Sequence, residues 1–223
     1  MIDEGEGTLR VTAVGASLSG KGRLLWNRWV SKRPRVTIID HTGEWARNGI
    51  AADYASGLGN YLDVLHRNVG RDRWRIVANL NFQEVGELAG ILVPDPDAWA
   101  RSPIVPLGGM ALYLPEVDLS IDPNPYDRSR TLWRRGRHVL LDVFADTQSP
   151  ASTSKEVFKC SEIVPVFNVV TSSDVRFIER LAGSPEQFQR ALGWIRNRYH
   201  AAVFLPQRGK LILLPPGSPN LAP

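Results

Sequence analysis

The stretch Val11-Thr-Ala-Val-Gly15-Ala-Ser-Leu-Ser-Gly20-Lys-Gly-Arg23 decides how the chain is read. A short apolar run feeds a glycine-rich turn that carries a single lysine. Gly15, Gly20 and Lys21 fit the G-x-x-x-x-G-K phosphate-loop pattern, and the small residues Ala16, Ser17 and Ser19 let backbone amides curl around an anion. The segment from Gly22 to Val30 reads as a helix whose N-terminus aims its partial positive charge at the same phosphates. Lys21 is then assigned to the β and γ phosphates, with the amides around Ser19, Gly20, Gly22 and Arg23 as the cradle. The alternative is a glycine-rich strand-to-helix turn with an incidental lysine. One position departs from the pattern: the Ser or Thr that normally holds Mg²⁺ is Gly22, which has no side chain to offer.

Working outward, the elements around this loop alternate. Leu9 to Val14 and Arg35 to Asp40 are Val-, Ile- and Thr-rich runs of the kind buried in parallel sheets, so strand, loop, helix and strand form a right-handed crossover unit. Tyr54 to Asn68 reads as a helix with Leu58, Leu62 and Leu65 on one face. Trp74 to Asn79 is a third strand and Phe82 to Leu92 a further helix, closed by Pro94 and Pro96. The apolar run from Met110 ends in acid at Glu116 and Asp118. Asp122 to Tyr126 is a loop, Ser129 to His138 a basic helix or turn, and Val139 to Gln148 contains a core strand ending at Thr147-Gln148. Ile163 to Val170 is a strand, Ser173 to Leu181 and Pro185 to Tyr199 are helices, and Ala201 to Leu214 is a hairpin turning at Gln207-Arg-Gly209. A loose acidic arm at 1–7 and a Pro/Gly-rich mobile tail at 215–223 flank one domain, 1–214, of class α/β. At 223 residues a second full domain would be cramped.

Composition excludes several classes. One cysteine, Cys160, rules out an internal disulfide and multi-thiolate metal sites, which suits an intracellular setting. Apolar runs fall short of membrane-spanning length and no leader pattern opens the chain, so a soluble protein is expected. Basic residues number 27 against 23 acidic, and arginine outweighs lysine, which hints at anionic partners. The four histidines lack ligand spacing.

With these residues in place, the chain resembles the HerA/FtsK group of P-loop ATPases, and within it the genome-packaging ATPases of viruses with an internal membrane. The phosphate loop is the first of four matching islands. The second, Ile38-Ile-Asp-His-Thr-Gly-Glu-Trp45, is similar to the group's D-x-x-G-E-aromatic strand ending. The third, Leu112-Tyr-Leu-Pro-Glu-Val-Asp118, stands at its Walker B place. The fourth joins Arg135-Gly-Arg-His138 to Asp142-Val-Phe-Ala-Asp-Thr-Gln-Ser-Pro150 and resembles the group's arginine-histidine, strand, T-Q-x-P arrangement. Asp174 to Gly183 matches a further D-x-x-x-(L/I)-x-x-L-x-G segment.

The resemblance implies a RecA-like, mostly parallel sheet with helices on both faces. It implies ATP and Mg²⁺ as cofactors, a homo-oligomeric ring around double-stranded DNA, and packaging of a viral genome at a capsid vertex or beside a membrane-associated viral protein. The place of action would be the virion or the infected-cell cytoplasm. A Zot-like phage assembly factor is the second reading, weakened because such proteins usually carry a membrane span; a degenerate nucleotide-binding subunit is the third.

By the same resemblance Glu116 orients and deprotonates the attacking water. Gln148 is the sensor of the γ-phosphate. Arg137, then Arg135, is the arginine finger offered to the next subunit. For Arg134, Arg135 and Arg137 a solvated basic face or a DNA-facing patch is the alternative. Pro115 stands where the group has its Mg²⁺-holding Asp, so with Gly22 both customary protein contacts to the metal are missing. Mg²⁺ keeps most of its own waters and binds largely through phosphates, and Asp118, Asp40 and Ser19 are candidates to substitute, the two carboxylates through water.

Overall fold

Continuous apolar runs demand burial on both faces, and the chain satisfies this with a central sheet under helices. The computed structural model describes residues 7–47, 50–121 and 128–216. Its strands are β1 (Arg10–Val14), β2 (Arg35–Ile39), β3 (Asp53–Ser56), β4 (Trp74–Asn79), β5 (Met110–Leu114), β6 (Leu141–Thr147), β7 (Val164–Val166), β8 (Ala201–Leu205) and β9 (Lys210–Leu214). They form one nine-stranded sheet in the order β3-β4-β2-β5-β6-β1-β7-β8-β9. The first seven in that order pair in parallel, and β8 and β9 close the edge antiparallel, as the hairpin reading expected.

The helices are α1 (Lys21–Arg28), α2 (Glu44–Arg47), α3 (Leu58–Asn68), α4 (Phe82–Leu92), α5 (Thr131–Arg135), α6 (Lys155–Cys160), α7 (Ser172–Leu181) and α8 (Pro185–Ile195). Strand alternation divides the core. On β5, Ala111 and Tyr113 face the α1 side with Leu24, Leu25 and Trp29, whereas Leu112 and Leu114 face Tyr61, Val85, Leu88 and Trp133 of α3, α4 and α5. A third cluster packs α7 and α8 onto β7 and β8 through Phe177, Ile178, Ala191 and Phe204. Helix α4 begins in a capping box, in which the Asn81 side chain accepts from the Glu84 amide and the Glu84 carboxylate accepts from the Asn81 amide.

Three element readings need correction. Tyr54 to Ser56 is not helical: it extends as β3 against β4, and Gly57 at φ 78° turns the chain before α3 begins. The buried face of α3 is Tyr61, Val64, Leu65 and Asn68, while Leu58 and Leu62 only flank the core. Strand β7 is three residues long, with Ile163 contributing an isolated bridge to Val11 and Asn168 to Val170 already irregular. The pattern also passed over α6, whose six residues are too few for a periodicity. The loop Asp122–Tyr126, residues 1–6 of the acidic arm and the tail from 217 lie outside the described residues.

Candidate nucleotide site

The order β5-β6-β1 brings three strand ends to one edge of the sheet, where a strand order that reverses leaves a crevice. β1 delivers the phosphate loop there, β5 delivers Glu116 and β6 delivers Gln148. The loop is pinned at its base. The Gly15 amide donates to the Thr147 carbonyl at 3.1 Å and the Ala16 amide to the Asn168 carbonyl at 2.8 Å. Gly15 must be glycine for lack of room: a Cβ there would lie 2.7 Å from Phe167 Cβ and 2.8 Å from Ser19 Oγ. Leu18, at the exposed tip, has φ 56°, a left-handed conformation that costs a non-glycine residue energy. Gly20, at φ 95°, is the left-handed residue that starts α1, and α1 directs its first amides into the loop. Ser17 and Arg23 are exposed, and the Ser19 hydroxyl is buried without a hydrogen-bond partner. An orphaned hydroxyl inside an amide-lined loop fits an oxyanion ligand.

Lys21 is buried, and its ammonium lies 3.8 Å from Asp146 Oδ1. Asp146, on β6 and 5% exposed, is a site residue that the sequence reading missed. Tyr113 Oη donates to Asp146 Oδ2 at 2.7 Å, and the Glu116 amide also bonds its carboxylate. Burial pushes the Asp146 pKa up, against the pull of Lys21 and the Tyr113 bond. Burial first, then the Asp146 charge, raises the Tyr113 phenol well above its ordinary value, so it stays a donor. Trp45, on α2, packs edge-on against Tyr113 at 5.2 Å between ring centroids, and Trp26 of α1 lies 5.0 Å beyond Trp45.

Glu116 and Gln148 meet directly, Gln148 Nε2 donating to Glu116 Oε1 at 2.7 Å. Glu116 has φ 50°, so the backbone after Pro115 bends sharply to turn its amide toward Asp146 and its side chain toward Gln148. The two proposed metal carboxylates are otherwise engaged. Asp118 Oδ1 accepts from Thr147 Oγ1 at 3.0 Å. Asp40 accepts the Glu44 amide at 3.1 Å and the Ala46 amide at 3.0 Å, and so satisfies first-turn donors of α2. Beside it, the His41 ring is 2.6 Å from Ser120 Oγ, and burial lowers its pKa.

Arg135 and Arg137 are not brought to this edge. They precede β6, a seven-residue strand about 20 Å long, and so sit at its opposite end from Gln148. Arg135 lies 3.6 Å from Asp95, whereas the Arg137 side chain is exposed. Tyr199, 44% exposed and at φ 62°, stands beside the phosphate loop, where a Cβ on Gly20 would be 3.5 Å from its ring; its position beyond α8 gave no sequence signal.

The fold is that of an α/β, RecA-like P-loop NTPase. No family model matches the chain, and no curated protein matches its sequence. Solved structures do. The genome packaging NTPase B204 of Sulfolobus turreted icosahedral virus 2, in complex with AMPPCP, superposes with a TM-score of 0.70 at 16% identity, covering 94% of this chain and 98% of that one. The DNA-packaging ATPase B204 of Sulfolobus turreted icosahedral virus gives 0.64 at 11% identity, over 96% of this chain and 99% of that one. VirB4 of Thermoanaerobacter pseudethanolicus gives 0.57 at 12% identity, over 95% and 90%. The fold expected from the HerA/FtsK resemblance is therefore found, over nearly the whole of the chain. Among the described residues no helix is long and apolar enough to cross a membrane.

Proposed function

We propose that this chain is an ATP-driven DNA translocase that packages a viral genome, acting as one subunit of a homo-oligomeric ring. The observation that carries the reading is the meeting of Glu116 and Gln148 beside a lysine-bearing phosphate loop, in a fold shared with genome-packaging NTPases. The loop amides and Lys21 bind the phosphates. Glu116 accepts a proton from the attacking water, and Gln148, bonded to Glu116, holds that carboxylate in place and senses the γ-phosphate. The exposed Tyr199 ring is a stacking face for the base. Mg²⁺, when bound, neutralises charge on the β and γ phosphates, and the donors here suit an ion held mainly by phosphate and water: among the described residues no cluster of three or more His, Cys, Asp or Glu is present.

Arg137 acts on the neighbouring subunit's nucleotide, because about 20 Å of β6 separates it from its own site. Double-stranded DNA passes through the ring, which docks at a capsid vertex or a membrane-associated viral protein, in the virion or the infected-cell cytoplasm. The unit that does this is the single domain 1–214. The test is phosphate release from Mg²⁺-ATP with and without duplex DNA. Duplex DNA is expected to stimulate turnover in the natural chain and not in Lys21→Ala. Equal turnover in the two proteins would refute the motor reading.

A further inference from the structure

Gly22 and Pro115 leave the metal without its two usual protein contacts, and the structure shows what occupies the space. A Cβ on Gly22 would lie 3.3 Å from Tyr113 Oη and 3.7 Å from Asp146 Oδ2. The phenol and the carboxylate therefore crowd the side of position 22 from which a side chain would project. The pair is built rather than incidental. Tyr113 is fully buried, it is braced by Trp45, and its hydroxyl donates to Asp146 at 2.7 Å.

With Oδ2 held by Tyr113, Oδ1 is the oxygen nearest Lys21, at 3.8 Å, and thus the one turned toward the phosphate loop. Among the described residues the other carboxylates near this edge are engaged elsewhere. Asp118 is held by Thr147, Asp40 bonds first-turn amides of α2, and Glu116 bonds Gln148. Lys21 carries one positive charge against this carboxylate and the several negative charges of bound phosphates together, so a like-charge penalty remains that a divalent cation between them would remove.

We propose that Asp146 is the protein group that holds the nucleotide's divalent cation, positioned by Tyr113, whose hydroxyl lies against position 22. This rests on the reading of the loop as a nucleotide site. Loss of the side chains at 22 and 115 is then a relocation of the metal contact from the P-loop helix and β5 to β6, and the metal site is complete in this chain. Asp146 would reach the ion directly or through one of its waters, as Mg²⁺ sites commonly allow.

The experiment is ATP binding by calorimetry, with Mg²⁺ and with EDTA, for the natural chain, Asp146→Asn and Tyr113→Phe. Retention of Mn²⁺ with ATP in equilibrium dialysis is the second readout. In the natural chain the divalent ion is expected to tighten ATP binding by about tenfold or more. Asp146→Asn, an isosteric change, should bring that ratio near one, chiefly by tightening metal-free binding as the like charge disappears, and should lose the retained Mn²⁺. Tyr113→Phe keeps the carboxylate but removes the bond that fixes Oδ2, so it should lower the metal ratio in part, and it tests the same point if the Asn variant is unstable: an unchanged ratio there overturns the positioning. An unchanged ratio in Asp146→Asn overturns the proposal. An equal tightening with and without metal also overturns it, since Asp146 would then serve only as the partner of Lys21. If the natural chain binds no ATP under either condition, the nucleotide reading falls, and this proposal with it.

Discussion

Replacing Gly15 by alanine tests the geometry of the phosphate loop without touching any charged group. The added Cβ would lie 2.7 Å from Phe167 Cβ and 2.8 Å from Ser19 Oγ, both closer than nonbonded atoms approach. Neither neighbour can swing away cheaply. Phe167 Cβ is fixed to a backbone whose amide donates to the Val14 carbonyl at 2.8 Å, and Ser19 lies in the loop itself. The strain therefore falls on the two bonds that pin the loop, from the Gly15 and Ala16 amides. Overpacking of this kind costs about 1–3 kcal/mol. For a chain of this size each kcal/mol lowers Tm by about 2–4 °C, so a fall of roughly 2–12 °C is expected. The loop amides are displaced as well, so ATP should stabilise the variant less than the natural chain at equal concentration. Thermal unfolding with and without ATP reads both effects. Gly193→Ala is the control: it lies in α8 with nothing within 4 Å of its Cβ, and it should stabilise the chain by about 0.5–1 kcal/mol through helix propensity. A Gly15→Ala variant with unchanged Tm and unchanged ATP-dependent stabilisation would refute the packing account of the loop.

Two further predictions concern stability away from the loop. Arg10 is buried on β1, where its guanidinium is paired with Glu162 and donates to the Trp133 carbonyl at 2.7 Å; Glu162→Ala should cost about 2–4 kcal/mol in urea unfolding, since it strands a buried cation, and a loss below about 0.5 kcal/mol would show the pair to be dispensable. His41 has its pKa lowered from 6.5 by burial, so the folded chain binds fewer protons than the unfolded one as pH falls below 6.5. Stability should decline through that window until the depressed folded pKa is passed, and His41→Gln should flatten the decline; parallel pH profiles for the two proteins would refute it.

The parts of the fold that the sequence made legible share a cause. β1, β2, β4 and β5 are apolar enough to require cover on both faces, and α4 announces its start with Asn81 and Glu84. Where the reading failed, tertiary pairing overrode local pattern. Asp53 to Ser56 is mostly exposed, with Ala55 alone buried, so nothing in its composition marks a strand; it extends because β4 offers it an edge. Of the expected stripe Leu58, Leu62 and Leu65 on α3, Leu65 is buried, but the core takes Tyr61 and Val64 beside it rather than the other two leucines.

The site divides along the same line, between motifs and their compensation. Gly15, Gly20, Lys21, Glu116 and Gln148 follow local patterns, and all five converge at the ends of β1, β5 and β6. Asp146 was invisible because a lone acid within an apolar strand reads only as a strand residue. A usable signal was nevertheless present. Two missing oxygen ligands, at 22 and 115, call for an oxygen on a strand adjacent to β5, on the face toward α1. Tyr113 is two residues before Pro115 and therefore shares its face, and β6 pairs with β5 so that Phe144 stands opposite Tyr113. The only acid of β6 beyond that partner and on the same face is two residues on, Asp146. What no pattern supplies is the register that makes Tyr113 and Asp146 neighbours and sets the Tyr113 phenol against Gly22, where a Cβ would stand 3.3 Å from its oxygen.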